Sequence, residues 1–453
     1  MYKSSQFNIL VPTPDNGIVI RNLFSQKYLH VPEPMRDKVI EYLDMSTCAH
    51  TDLESTYINR LVQGGFLVPY DEEESAKVDS FRKDIAQATD QLDITILPTD
   101  DCNFRCAYCF EYERHSYMSH DTAESIVKYF EKNFSRYRKV YIQWFGGEPL
   151  LCKDTIHYIM TNAIRIAKRE RVSLIAGITT NGYELDVETY KMLCANRISW
   201  IQISVDGTRD IHNFQRPHKC NHDSYTRIVN NLKAIRDQVP AGMCKIYYRV
   251  TISKQILQRI DEVLQFYKQE FAYDNRFRLS LQPIMDWGGD RVGNILDELP
   301  SVEDTVGCLK KAAMYGLMPI GHHTQAASGV VCEAMRVNGF VVGPDNTVHK
   351  CPMAMYANTD SCVNKGVIGH LSQEGDMHLN TANNNAWCEG SPYKGELCYK
   401  CRYYAICHGN VTCPYSMKFS NEKKNLCRKS IYDEYVPAET MMMYLLGKVK
   451  DEL

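Results

Sequence analysis

Apolar and polar positions change their period along the chain, and the changes mark its parts. From residue 91 onward, short apolar runs alternate with amphipathic stretches. Leu92–Leu97, Val140–Phe145, Val172–Ile178, Ile201–Val205, Ile246–Thr251 and Phe277–Gln282 read as buried strands. Asp121–Lys132, Asp154–Arg169, Asp186–Cys194, Ser224–Gln238 and Lys254–Glu270 read as the helices between them. Strand–helix alternation predicts an α/β fold with a parallel sheet and right-handed crossovers. In such folds the loops after the strands build the site.

The first 70 residues follow another pattern. Phe7–Val11, Ile18–Ile20 and Tyr28–Val31 read as strands, with a turn at Pro14-Asp15-Asn16-Gly17. Two helices follow, Pro34 to about Met45 and Asp52–Gln63; in the second, Leu53, Tyr57, Ile58 and Leu61 share one face. Gly64-Gly65 ends it and Phe66–Val68 returns as a strand. The acidic run Asp71–Glu74 leads into a linker helix over 71–90.

Net charge is −3, which provides no global attraction to nucleic acid or anionic membrane. No apolar run approaches the ~18 residues that span a bilayer, and no signal core follows Met1, so a cytoplasmic location is expected. The terminal Lys450-Asp451-Glu452-Leu453 matches an ER-retention signal, read here as chance because no signal peptide precedes it. In a reducing compartment, 18 cysteines point to metal ligands or buried thiols rather than disulfides.

The sharpest chemistry lies in Cys102-Asn103-Phe104-Arg105-Cys106-Ala107-Tyr108-Cys109, directly after the first strand. A cubic iron–sulfur cluster normally takes four thiolates, so three leave one iron open to a chelating amine and carboxylate. Zinc is the competing reading, but structural zinc prefers C-x2-C pairs and the x3 gap fits it poorly. This stretch resembles the radical S-adenosylmethionine (SAM) enzymes, and so do the motifs at the later strand ends: Gly146-Gly147-Glu148-Pro149, Thr179-Thr180-Asn181-Gly182, Ser204-Val205-Asp206-Gly207, and His212 with Arg216 in an H-x3-R pattern. The resemblance implies a partial (β/α)6 TIM-like barrel over 91–320. In that family a [4Fe–4S] cluster on the three cysteines, here Cys102, Cys106 and Cys109, reductively cleaves SAM to a 5′-deoxyadenosyl radical. It also implies SAM contacts from Tyr108 (against the adenine), Gly146, Gly147, Glu148, Pro149, Thr180, Asn181, Ser204, Asp206 and Arg216, the last beside the SAM carboxylate.

The C-terminal cysteines resemble the family's SPASM extension, placed at 321–431 ahead of a C-terminal helix over 432–453. Cys332 and Cys351 open the pattern, with Asn346 at a glycine position; Asn tolerates the left-handed conformation. Cys398, Cys401 and Cys407 follow, then Cys413 after a loop two residues longer than usual, then Cys427. The resemblance implies two auxiliary [4Fe–4S] clusters: an outer one on Cys398, Cys401, Cys407 and Cys427, and an inner one on Cys332, Cys351 and Cys413. The inner cluster then has an open iron, or recruits Cys308, Cys362 or Cys388. Cys48, Cys152, Cys194, Cys220 and Cys244 read as core or surface thiols.

Residues 1–70 resemble the winged-helix-like α+β element by which ribosomal-peptide-modifying enzymes bind a leader peptide as an added strand. A DNA-binding winged helix is disfavoured because Asp52 and Glu54 face only Arg60 on the second helix. A cap without a ligand is the plain alternative. The whole implies a maturase that abstracts hydrogen from a precursor peptide to form a thioether or carbon–carbon crosslink, with flavodoxin or ferredoxin as electron donor. An anaerobic sulfatase maturase is the alternative, although that family carries Asp after the second SPASM cysteine and Pro352 stands here. A non-catalytic iron–sulfur peptide-binding protein is the third reading.

Overall fold

The computed structural model describes every residue except 45–54, 112–114, 243, 287–290, 321–331, 356–365, 389–394, 408–426 and 451–453. The N-terminal unit contains β1 (Tyr2–Ser4), β2 (Asn8–Pro12), β3 (Ile18–Asn22), β4 (Tyr28–Val31) and β5 (Leu67–Pro69), with helices at Glu33–Asp44 and Ser55–Gln63. Strands β2, β3 and β4 form an antiparallel sheet, and β1 pairs with β5. β1 was not expected; it is three residues long and its partner lies more than sixty residues away.

Six parallel strands follow: β6 (Gln91–Ile96), β7 (Lys139–Trp144), β8 (Ser173–Thr180), β9 (Ile198–Ser204), β10 (Lys245–Ile252) and β11 (Phe277–Pro283). Each strand alternates. Leu92, Ile94, Ile96, Val140, Ile142 and Trp144 are buried against the outer helices; burying such a side chain stabilises by about 1.5–3 kcal/mol. The opposite face is largely polar: Thr95 and Gln143 line one end of the interior, and Thr179, Gln202, Ser204, Arg249 and Thr251 the other. A closed TIM barrel fills that space with branched apolar residues. Here it is left hollow.

The helices start on side-chain caps. Ser119, Asp186, Asp223 and Ser253 each accept a hydrogen bond from a first-turn N–H. The single helix expected over Lys254–Glu270 is two, Lys254–Gln258 and Ile260–Glu270. They break at Arg259 (φ −124°, ψ 22°), whose guanidinium is held by Asp210 and Glu262. The C-terminal helix runs over Lys429–Leu445 rather than 432–453, and Gly447 at φ +62° ends it.

The cysteine-rich segment continues the barrel sheet. β12 (Gly339–Val342) lies parallel to β6 on its free edge, and β13 (Thr347–His349), β14 (Val367–Leu371) and β15 (Met377–Leu379) extend it antiparallel. Asn346 has φ +65°, as its place in the pattern requires. The chain leaving β13 therefore carries Cys351, Pro352 and Met353 to the mouth of the barrel. The N-terminal unit packs elsewhere. Phe7, Ile9, Val11 and Val78 share a core with Tyr404, Ile406, Tyr432 and Val436, and Cys398, Cys401 and Cys407 lie against it. Arg82 donates to the Tyr404 carbonyl at 2.6 Å, the Tyr404 hydroxyl donates to Asp79 at 2.6 Å, and Arg21 pairs with Glu439 at 2.8 Å.

Candidate active site

The cysteine loop is shaped by Asp101. Its carboxylate accepts the Cys102 N–H at 2.9 Å, the Lys219 ammonium at 2.9 Å and the Tyr117 hydroxyl at 2.6 Å. Backbone bonds from Arg105 to Pro217 and from Ala107 to Gln215, each 2.9 Å, pin the loop to the segment after β9. Cys102, Cys106 and Cys109 thereby line one cavity of about 420 Å³ at the C-terminal ends of the strands. Burial pushes all three thiols up, Cys109 to about 12, so metal binding there releases protons. Among the described residues, no three Cys, His, Asp or Glu converge closely enough for a single metal ion. A cubic cluster spaces its thiolates more widely, and this loop suits it.

Tyr108, Gly146, Gly147, Thr180, Asn181, Ser204 and Arg216 line the same cavity. Glu148, Pro149 and Asp206 are not among its lining residues. Glu148 is fully buried, accepting from the Thr180 hydroxyl (2.7 Å), the Asn181 N–H (2.7 Å) and the Leu150 N–H (2.9 Å), and burial raises its pKa. It fixes β8's end against β7's. Gly146 (φ +105°) and Gly147 bring β7's end onto the cysteine loop, where the Glu148 N–H bonds the Asp101 carbonyl at 2.8 Å. A Cβ on Gly147 would lie 2.1 Å from that carbonyl oxygen. Gly147→Ala is therefore expected to displace the loop and slow SAM cleavage by roughly a hundredfold, the scale of a 1 Å misplacement; the rate of 5′-deoxyadenosine production by the reconstituted protein checks it.

Behind the cavity lies a buried network. Asp206 accepts the Thr251 N–H at 2.8 Å and the Tyr108 hydroxyl, and Arg216 donates to the Tyr108 oxygen at 2.6 Å, with 3.8 Å between its Nη1 and the Asp206 carboxylate. His212 Nδ1 accepts the Asp206 N–H at 3.0 Å, which places its proton on Nε2. Burial holds that imidazole neutral. Tyr108 and Arg216 are thus engaged with each other on the cavity wall.

Several lining residues were not found from the sequence: Glu111, Phe145, Gln202, Arg249, Thr251, Met285 and Met353. Burial, with Glu148 and Asp100 nearby, raises the Glu111 carboxyl to about 8. Arg249 carried a readable signal, a charge inside the apolar strand Ile246–Ile252.

No disulfide joins the described cysteines. Cys398, Cys401 and Cys407 lie against one core, and Cys427 and Cys398 are electrostatic neighbours of Cys401. Cys413, Cys362 and Cys48 lie outside the described residues. Cys332 and Cys388 are both electrostatic neighbours of the Lys350 ammonium, which donates to the Arg336 and Gly339 carbonyls and precedes Cys351. Cys308 is buried within the helix Val302–Met314, beside Tyr435. Of the other cysteines read as plain thiols, Cys244 is buried, Cys152 and Cys194 half-buried, and Cys220 exposed.

Comparison with known proteins agrees with this geometry. The sequence profile of the radical SAM superfamily matches residues 96–266. A cysteine-type anaerobic sulfatase-maturating enzyme of Clostridium novyi is 26% identical over 207 residues, 43% of this chain and 53% of that protein. One of Clostridium perfringens is 20% identical over 347 residues, 70% of this chain and 88% of that protein. The chain thus spans about half of the first relative's length and most of the second's. Among solved structures, native anSMEcpe with bound AdoMet and Cp18Cys peptide superposes with a TM-score of 0.58 at 18% identity, covering 80% of this chain and all of that one; this likeness shows the fold. The superfamily match falls on the barrel whose loops build the cavity, and the chain carries a radical SAM domain, whose family uses a [4Fe–4S] cluster and S-adenosylmethionine.

Proposed function

We propose that this enzyme modifies a ribosomally made precursor peptide, forming a thioether or carbon–carbon crosslink. Cys102, Cys106 and Cys109 would hold the SAM-binding cluster, and Gly146, Gly147, Thr180, Asn181 and Ser204 would cradle SAM. Together these cofactors supply a carbon-centred radical that removes a hydrogen atom from the substrate. The chain's own residues bind, orient and shield. Phe145, Ile284, Met285 and Met353 give the cavity an apolar wall against water. Cys398, Cys401, Cys407 and Cys427 would hold an outer auxiliary cluster, with Cys332, Cys351 and Cys413 on the inner one. The position of Cys388 beside Lys350 and Cys332 favours it over Cys308 as an added inner ligand. A flavodoxin or ferredoxin would supply the electron.

The observation that carries the peptide reading is the open edge of β4. Among the described residues β4 pairs only with β3, and a groove of about 500 Å³ lies between it and the helix Ser55–Gln63. Lys27, Arg60 and Lys450 line that groove. An unpaired strand edge beside a basic groove suits an acidic leader peptide added as a fourth strand. The second reading, formylglycine formation on a sulfatase, is supported by the relatives that bear that activity; Pro352 after Cys351 weighs against it.

One experiment separates them. The reconstituted enzyme receives SAM, dithionite and either the small peptide encoded beside its gene or a cysteine-type sulfatase peptide. Loss of two hydrogens from the first peptide is expected, with one thiol lost if a thioether forms. An aldehyde on the sulfatase peptide, trapped by a hydrazide, with the first peptide unchanged, would replace the proposal with the second reading.

A further inference from the structure

Arg249 sits on the inner face of β10, in register with Ser204 of β9 and Ser280 of β11. Its guanidinium lines the cavity, yet among the described residues its side chain makes no hydrogen bond and no ion pair, and its buried Nε has no acceptor. The carboxylate that acts on it electrostatically, Asp206, is already taken by the Thr251 N–H and the Tyr108 hydroxyl, and Arg216 adds a second positive charge nearby. Arginine does not escape by deprotonating. A desolvated cation without a counterion is costly, and such a site gains most from an anion that completes it.

We propose that Arg249 binds a carboxylate that enters the cavity, and so selects which molecule is held against the radical. This rests on the cavity's being the SAM and substrate pocket. The guanidinium fork matches a carboxylate with two parallel hydrogen bonds. One unpaired cation against Phe145, Ile284, Met285 and Met353 suits a single negative charge on an otherwise apolar group, not a multiply charged phosphate. The carboxylate belongs to an acidic residue or chain end of the substrate, because the methionine end of SAM commits its own to the cluster's open iron.

Phenylglyoxal labelling of the anaerobically reconstituted holoenzyme, read residue by residue by mass spectrometry, tests this. Arg249 is expected to react in the SAM-loaded protein. A carboxylate in place should slow labelling about tenfold or more, the scale of a charge-assisted pair, while its uncharged counterpart should not. The probes, on SAM-loaded protein, are glutarate against glutaramide. Protection by glutarate and not by glutaramide supports the proposal, whereas full protection by SAM alone, with nothing left for glutarate to add, would give Arg249 to the cofactor and overturn it. Arg249→Lys should keep part of the selectivity, read as the acid-over-amide affinity ratio in calorimetry, and Arg249→Gln should abolish it. An Arg249 that is unreactive in the ligand-free holoenzyme, or protected equally by acids and neutral counterparts or by none, overturns the proposal. Production of 5′-deoxyadenosine by the wild-type protein reads the pocket assignment independently, so its failure is not confused with that of Arg249.

Discussion

Cys106→Ala is expected to reduce SAM cleavage to background while leaving the barrel folded. Cys106 is the buried member of the trio, and Cys102 and Cys109 are its electrostatic neighbours. Removing one of three ligands leaves a cluster two protein bonds, and the reconstituted protein should carry about four fewer iron atoms per chain. The missing side chain is small and lies in a loop, so the sheet core from Leu92 to Leu281 is untouched. The informative control is Cys398→Ala, in the distant cysteine group packed under the N-terminal unit. It should lose a similar amount of iron and still produce 5′-deoxyadenosine. Equal activity in Cys106→Ala and wild type would show that the loop does not hold the reacting cluster.

Asp206→Ala should have the largest effect on stability. Asp206 is fully buried and takes hydrogen bonds from Thr251 and Tyr108, with Arg216 3.8 Å away. Alanine would strand Arg216 beside an already unpaired Arg249, leaving two buried cations and a phenol without its acceptor. Breaking one partner out of a buried ionic set costs about 3–5 kcal/mol. Denaturant unfolding of the apoprotein should show that loss, and SAM cleavage should fall with it because Tyr108 and Arg216 form the cavity wall. Asp206→Asn keeps the Thr251 contact and is expected to lose less. A loss below about 1 kcal/mol for alanine, the scale of an exposed pair, would mean the network is not closed as drawn.

The parts of the site that were legible are those whose chemistry fixes local spacing. Three thiolates around one cluster must come from a short loop, and two glycines must stand where β7 meets it. The parts that were not legible arise from sheet geometry. Gln202, Arg249 and Thr251 reach the cavity only because alternate residues of β9 and β10 face inward, which no short motif records. Strand β12 is four residues long, and its place on β6's edge depends on a hydrogen-bond register set across more than two hundred residues. For the same reason the arrival of Pro352 and Met353 at the barrel mouth was invisible. The polar network was half legible: Asp206, His212 and Arg216 stand in a motif, but their tie to Tyr108 is a tertiary fact. In the N-terminal unit the helices and four strands, β5 among them, are legible in the sequence, while β1 is a three-residue segment with no pattern of its own whose pairing with β5 is a tertiary fact.

The central claim is tested most directly by one assay on the full-length wild-type protein. It is reconstituted anaerobically with iron and sulfide, reduced with dithionite and given SAM, and the products are separated by liquid chromatography with mass detection. The account predicts 5′-deoxyadenosine and methionine in equal amounts, formed only when reductant and cluster are both present. Protein with its full iron content that yields neither would contradict it.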